Sequence, residues 1–151
     1  MCGFICLFGK NKNFNHFSKI LKNNLHKYTH RGPDHQNFYS SDFFSCSFRR
    51  LSIQDLNERS NQPFKSNDNK RITIFNGEIY NFKDLKNDLK NLNYKFYTNG
   101  DTEVIDLAYK EWGENFVKKL RGMFSICIYE IESKKIFFTR DRFGIKPLYF
   151  Y

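Results

Sequence analysis

The sequence predicts an α+β domain with antiparallel sheets. Short apolar runs of strand length and apolar residues at helical spacing both recur along the chain. The two kinds of segment come in clumps rather than in strict alternation, which argues against a doubly wound parallel sheet. With 151 residues the chain is long enough for one domain with its own core. No internal repeat or linker divides it.

Each element has a local reason. Gly3 to Phe8 is an apolar run closed by Gly9, the signature of a buried strand. Phe14, Phe17, Ile20, Leu21, Leu25 and Tyr28 recur at the spacing of an amphipathic helix. Arg31-Gly32-Pro33-Asp34 then breaks that helix, because Gly and Pro together enforce a turn. Phe43 to Phe48 and Arg71 to Phe75 read as strands on either side of a polar stretch, 57–70. Phe82, Leu85, Leu89 and Leu92 mark a second helix. A third starts at Asp101 or Thr102, either of which can cap it, and runs through Val104, Ile105, Ala108 and Trp112. Met123 to Tyr129, Ile136 to Thr139 and Leu148 to Tyr151 read as further strands. The last is an apolar run without a polar tail, as expected of a truncated domain.

Composition narrows the function classes. Lys and Arg number 25 against 16 acidic residues, giving a formal charge of +9. The lysines are scattered without a run of five or six, so they fit solvated faces better than a nucleic-acid interface. An aromatic share of 19% excludes a disordered chain. No apolar run approaches the ~18 residues of a membrane helix, and no secretory signal precedes the first strand. Four cysteines without an export signal suit a reducing compartment, so the expected location is cytoplasmic. His16, His26, His30 and His35 are scattered, and Cys2 and Cys6 find no second ligand pair, so no metal site is expected.

A few residues could carry chemistry. Cys2 becomes the N-terminal residue if the initiator Met is removed. Its thiol would then lie beside an α-amino group that can act as its general base near neutral pH. The plainer alternative is a small residue at the start of a strand. Asn76 and Gly77 could together form an oxyanion hole, from a side-chain amide and a backbone N–H. Taken locally, Asn-Gly is better read as a hairpin turn after the strand that ends at Phe75. Arg50 could hold a carboxylate through two parallel hydrogen bonds, or be a surface arginine like Arg49 beside it. Asp101 could cap its helix or face a ligand ammonium.

Seven blocks taken in order bear on these alternatives. They are Met1-Cys2-Gly3, RGPD at 31–34, RRLSIQDL at 49–56, NGEIYN at 76–81, GDTEV at 100–104, RGMFSICIY at 121–129 and RDRFGIKPLY at 140–149. Across nearly the whole chain the sequence resembles the N-terminal glutaminase domain of glutamine-hydrolysing asparagine synthetases. These are class II, N-terminal-nucleophile amidotransferases. The resemblance implies an α+β fold of four layers, αββα, with two antiparallel sheets between helices. It implies that Cys2 attacks the side-chain amide of L-glutamine, with Asn76 and the Gly77 backbone holding the oxyanion. Arg50 would bind the substrate carboxylate, Leu51, Ser52, Ile53 and Gln54 would shape the pocket, and Glu78 and Asp101 would take the ammonium. RGPD and RDRFGIKPLY are read as scaffold and pocket wall.

The resemblance also sets expectations about what lies outside the chain. Residues 2–151 would form a glutaminase domain that is incomplete at its C-terminal end. ATP and Mg²⁺ would belong to a synthetase domain, acting in cis or trans, with no cofactor in this chain and with a homodimer of the full enzyme allowed. Other readings are a truncated, inactive binding module and amidation of a carboxylate other than aspartate. Three positions depart from the family pattern. Cys6 stands where a small residue is common, and packing is favoured over a disulfide with Cys2. Phe48 replaces a frequent His, and Asn37 replaces a Gly whose left-handed conformation Asn could keep.

Overall fold

The computed structural model describes residues 2–10, 12–53 and 55–151. The apolar run near the start forms strand β1 (Gly3–Phe8), followed by helix α1 (Phe14–Asn23) and a 3-10 segment, Leu25–Arg31. Strands β2 (His35–Ser40) and β3 (Phe44–Arg50) complete an antiparallel sheet of order β1-β3-β2. A second antiparallel sheet has the order β4-β5-β6-β7, from β4 (Phe64–Lys65), β5 (Arg71–Ile79), β6 (Gly122–Glu130) and β7 (Ile136–Arg140). Helices α2 (Phe82–Asn91) and α3 (Asp101–Trp112) lie between β5 and β6 in the chain. Helix α1 and the 3-10 segment pack on the first sheet, and α3 packs on the second with α2 beside it. The expected four layers, helix–sheet–sheet–helix, are therefore present.

Two cores follow from the strand period. On β5, Ile72 and Ile74 face the first sheet, meeting Phe44, Cys46 and Phe48 of β3 and Cys127 and Tyr129 of β6. Phe44 stacks on Tyr129 with ring centroids 4.5 Å apart. Phe75 and Ile79 belong to the opposite core, with Ile126 and Ile128 of β6, Leu85 and Leu89 of α2 and Val104, Ile105 and Ala108 of α3. Covering both faces explains why β6 is apolar over most of its length and why β5 carries apolar residues on both of its faces. Phe44 and Phe48 are completely buried, each worth about 2–3 kcal/mol of transfer free energy.

Helix α3 is buried along Asp101–Tyr109, including four polar residues. Its inward acids are clamped. Asp106 receives the Arg71 guanidinium through two bonds of 3.0 Å and the Thr73 hydroxyl through a third. Glu103 accepts the backbone N–H groups of Tyr97 and Thr98 and the Thr98 hydroxyl. Leaving any of these charges buried without its partner would cost several kcal/mol, so the helix is fixed in one position along β5.

The structure corrects several expectations. The first helical pattern does not run to Tyr28. It stops at Asn24, whose side chain donates to the Ile20 carbonyl at 2.7 Å, and the chain continues as a 3-10 segment. The Asn76-Gly77 pair is not a turn: β5 runs straight through it, in register with Ser125 and Phe124 of β6. The strand expected over Phe43 to Phe48 extends to Arg50, and β2, whose sequence HQNFYS has little apolar pattern, was not foreseen. Asn37 lies in that extended strand and keeps no left-handed conformation. Leu148–Tyr151 belongs to no strand, and Phe150 instead packs against Phe8 and Phe138.

Candidate active site

The ends of β1 and β3, the middle of β5 and the start of α3 meet around one cleft. Its cavity of about 140 Å³ is lined by Cys2, Arg50, Leu51, Asn76, Gly77, Glu78 and Asp101, together with Ile53. These come from segments far apart in the chain. Of the remaining expected residues, Ser52 does not line the cavity, and its N–H donates instead to Asp34 of RGPD at 2.7 Å. Gln54 lies outside the described residues.

Cys2 precedes β1 and is held by its neighbours. Its sulfur accepts the Leu51 N–H at 3.4 Å and faces the Leu51 carbonyl at 3.6 Å. Arg31 donates to the Cys2 carbonyl at 3.3 Å. Burial pushes the Cys2 thiol above its ordinary value, an effect that the Leu51 peptide and the Arg50 charge oppose. Arg31 was read, with the rest of RGPD, as scaffold and pocket wall, not as a partner of Cys2. No spacing in the sequence marks it, because its contact with Cys2 depends on Gly32 lying against β3. A side chain at position 32 would meet the Arg49 carbonyl carbon at 2.4 Å, so only Gly allows that approach.

Arg50 ends β3 with a buried guanidinium. It donates to Asn61 Oδ1 at 2.6 Å, to the Asn57 carbonyl at 3.3 Å and to the Asp55 carbonyl. Asp55 in turn accepts the Ser60 hydroxyl and the Asn99 N–H. The polar stretch between the strands is therefore a loop folded around the arginine.

The strand period settles where Gly77 points. The Phe75 N–H donates to Gln62 Oε1 at 2.6 Å, and the Ile79 N–H donates to Asp101 Oδ2 at 3.2 Å. Both point away from β6. Backbone direction alternates along a strand, so the N–H of Gly77, midway between them, points the same way, into the cleft. It can do so because β4 pairs only with Thr73 and Ile72, leaving this part of the β5 edge open. A Cβ on Gly77 would lie 2.0 Å from the Met123 carbonyl oxygen, so β5 and β6 approach closely here. Asn76, directly before it, is buried and lines the same cavity.

Asp101 is not a cap. It is the first residue of α3, with Gly100 in the cap position, and its carboxylate receives the Ile79 N–H. Burial pushes it up to about 6 despite that bond, and the charge of Glu78 contributes in the same direction. Gln62 fixes this corner by bridging from the Phe75 N–H to the Thr102 hydroxyl at 3.2 Å. Ser60, Gln62, Phe75, Gly100, Thr102 and Met123 also line the cleft and were not foreseen, while Lys146 lines it as part of RDRFGIKPLY, read as scaffold and pocket wall. The cleft thus combines a cysteine thiol, a backbone N–H with a neighbouring carboxamide, a guanidinium and two carboxylates. Among the described residues no group of His, Cys, Asp or Glu is arranged to hold a metal ion, and no helix is long and apolar enough to cross a membrane.

The chain has relatives among known proteins. Asparagine synthetase [glutamine-hydrolyzing] 1 of Bacillus subtilis is 38% identical over 99% of this chain, and synthetase 2 of the same organism is 44% identical over 87%. The chain spans only 24% and 17% of those two proteins. Glutamine phosphoribosylpyrophosphate amidotransferase from B. subtilis, solved with ADP and GMP, superposes with a TM-score of 0.51 at 22% identity. That match covers 64% of this chain and 23% of the other, and it shows the shared fold. The family model described as a glutamine amidotransferase domain matches residues 1–151, and the chain belongs to that family.

Proposed function

We propose that the cleft hydrolyses the side-chain amide of L-glutamine through a thioester on Cys2. With Met1 removed, the α-amino group of Cys2 takes the thiol proton and the sulfur attacks the amide carbon. The developing oxyanion is held by the Gly77 N–H and the Asn76 carboxamide. Ammonia leaves, and water then cleaves the γ-glutamyl thioester to glutamate. Arg50 receives the substrate α-carboxylate, Glu78 and Asp101 receive its ammonium, and Leu51 and Ile53 form the adjoining wall. The observation that carries this reading is the Gly77 N–H facing the cleft beside Cys2, flanked by two amides that are already satisfied.

The ammonia would serve ATP-dependent synthesis of asparagine from aspartate. That step belongs to a synthetase domain that needs ATP and Mg²⁺, acting in cis or trans, and the setting would be the cytoplasm. Identity to asparagine synthetases over almost the whole chain supports this choice of acceptor. The test is intact mass before and after treatment with diazo-oxo-norleucine, a glutamine analogue that alkylates such thiols. Loss of Met1 and one adduct, absent in Cys2→Ala, is expected, together with loss of glutamine hydrolysis in that variant. Hydrolysis that survives Cys2→Ala overturns the proposal.

A further inference from the structure

The cation and the carboxylate at the two ends of the cleft come from different layers. Arg50 ends β3 of the first sheet, whereas Asp101 opens α3, which packs on β5 of the second. Asp55, on the loop that follows β3, spans the gap between them. On one side its backbone carbonyl accepts from the Arg50 guanidinium. On the other its carboxylate accepts the Asn99 N–H at 2.7 Å, two residues before Asp101. The same oxygen accepts the Ser60 hydroxyl at 2.6 Å, and the second oxygen accepts the Asn57 N–H at 3.2 Å. The two segments also lie close together: a Cβ on Gly100 would sit 3.4 Å from the Ser60 hydroxyl oxygen and 3.8 Å from the Asp55 Cβ. Asp55 does not itself line the cavity, so any effect it has on a ligand passes through the groups it holds.

We propose that Asp55 is a positioning residue that fixes the distance between the carboxylate site at Arg50 and the ammonium site at Asp101, a role that rests on the cleft being a glutamine site. An α-amino acid carries both charges on one carbon, so the two sites must stand at a matching separation to engage it together. Holding them there in advance spares the complex the entropy of ordering the loop. The benefit is confined to ligands that touch both ends. A ligand held by Arg50 alone leaves the loop free to settle against it at any separation from Asp101. Asp55 therefore favours α-amino acids over plain carboxylates with the same amide chain.

The residue type suits the task. Asp55 has a φ of 45°, in the left-handed region that Asp and Asn tolerate better than other side chains. In this conformation its carbonyl serves Arg50 while its carboxylate serves Asn99. Burial opposes ionisation of the carboxyl, but the bonds from Ser60, Asn99 and Asn57 outweigh it and hold the group below its ordinary value. Both oxygens are therefore acceptors at neutral pH. Two substitutions separate backbone from side chain. Asn keeps the conformation and one oxygen for the Asn99 N–H and the Ser60 hydroxyl. Gly keeps the conformation and removes both oxygens.

The experiment compares the full chain with Asp55→Asn and Asp55→Gly in glutamine hydrolysis, with glutaramate as a competitor that has the carboxylate and the amide but no ammonium. Asp55→Gly should raise the KM for glutamine about tenfold at unchanged kcat, while the inhibition constant of glutaramate stays within about twofold. Asp55→Asn should bring the KM back to within about threefold of wild type. Hydrogen exchange reads the same contact without substrate: the Asn99 amide should be protected in wild type and in Asp55→Asn, and exchange faster in Asp55→Gly. A loss of equal size for glutamine and glutaramate would mean a general loosening of the cleft and overturns the proposal. So does an Asn99 amide that exchanges freely in wild type. Wild type that hydrolyses glutamine, with Asp55→Gly unaffected, overturns the role of Asp55 alone. Wild type that neither hydrolyses glutamine nor binds it overturns the glutamine reading and this role together.

Discussion

Asp101 gives the sharpest quantitative consequence. Its carboxyl is held at about 6 against an ordinary value of 3.8. The difference, 6 − 3.8, is 2.2 units, or about 3 kcal/mol at 1.36 kcal/mol per unit. The sign follows from where the protons sit. Below pH ~4 Asp101 is neutral in both folded and unfolded chains and costs nothing. Between ~4 and ~6 the unfolded chain ionises while the folded one stays protonated, so stability falls as pH rises. Above ~6 both are ionised and the full penalty persists. Asp101→Asn keeps an oxygen for the Ile79 N–H and removes the titration. The stability of the variant relative to wild type, from urea unfolding, should therefore rise by about 3 kcal/mol between pH 4 and pH 7. A difference that stays constant across that range would refute the assignment. Glutamine adds a second readout. Its ammonium favours the ionised carboxylate, so in wild type the KM for glutamine should climb as pH drops below 6.

Two further substitutions probe other parts of the cleft. Arg50→Lys replaces a fork that reaches three acceptors with a single point charge. It should cost about 2 kcal/mol of stability in urea unfolding and raise the KM for glutamine at least tenfold, whereas an unchanged KM would remove Arg50 from the carboxylate site. Gly77→Ala drives a methyl group against the Met123 carbonyl and should destabilise by about 3 kcal/mol. A thermal midpoint equal to wild type would mean that the strands do not approach as closely as described.

The parts of the site that were legible in the sequence carry their chemistry in the residue itself. Cys2, Arg50, Asn76, Gly77, Glu78 and Asp101 sit in contiguous blocks, and each has a side chain or backbone suited to one feature of glutamine. Gln62, Thr102 and Met123 were not legible, because their place depends on sheet register and on the polar loop around Arg50. Gln62 is the clearest case, since an isolated glutamine before a proline says nothing of the two groups it bridges. The same limit applied to the fold. Strands buried on both faces announced themselves as apolar runs, whereas β2 is half exposed and polar. Local signals also competed with tertiary ones. Asn-Gly is a strong turn signal, but the glycine is needed because β6 leaves no room for a side chain. The expected C-terminal strand failed for a related reason. The apolar residues of 148–151 are mostly exposed, and Phe150 rests on two other rings instead of joining a ladder.

The shortness of β4 has one more effect. An open strand edge is ordinarily adhesive, since its unpaired amides recruit any extended backbone. Here Gln62 and Asp101 occupy the amides on either side of Gly77, so only one donor is left on that stretch of edge. A lone donor cannot template a ladder, but it can receive a single oxygen. The gap in the sheet thus offers a passing strand little to pair with. Gln62→Ala, by restoring a second neighbouring donor, should make the chain aggregate sooner on concentration, a change that light scattering would register.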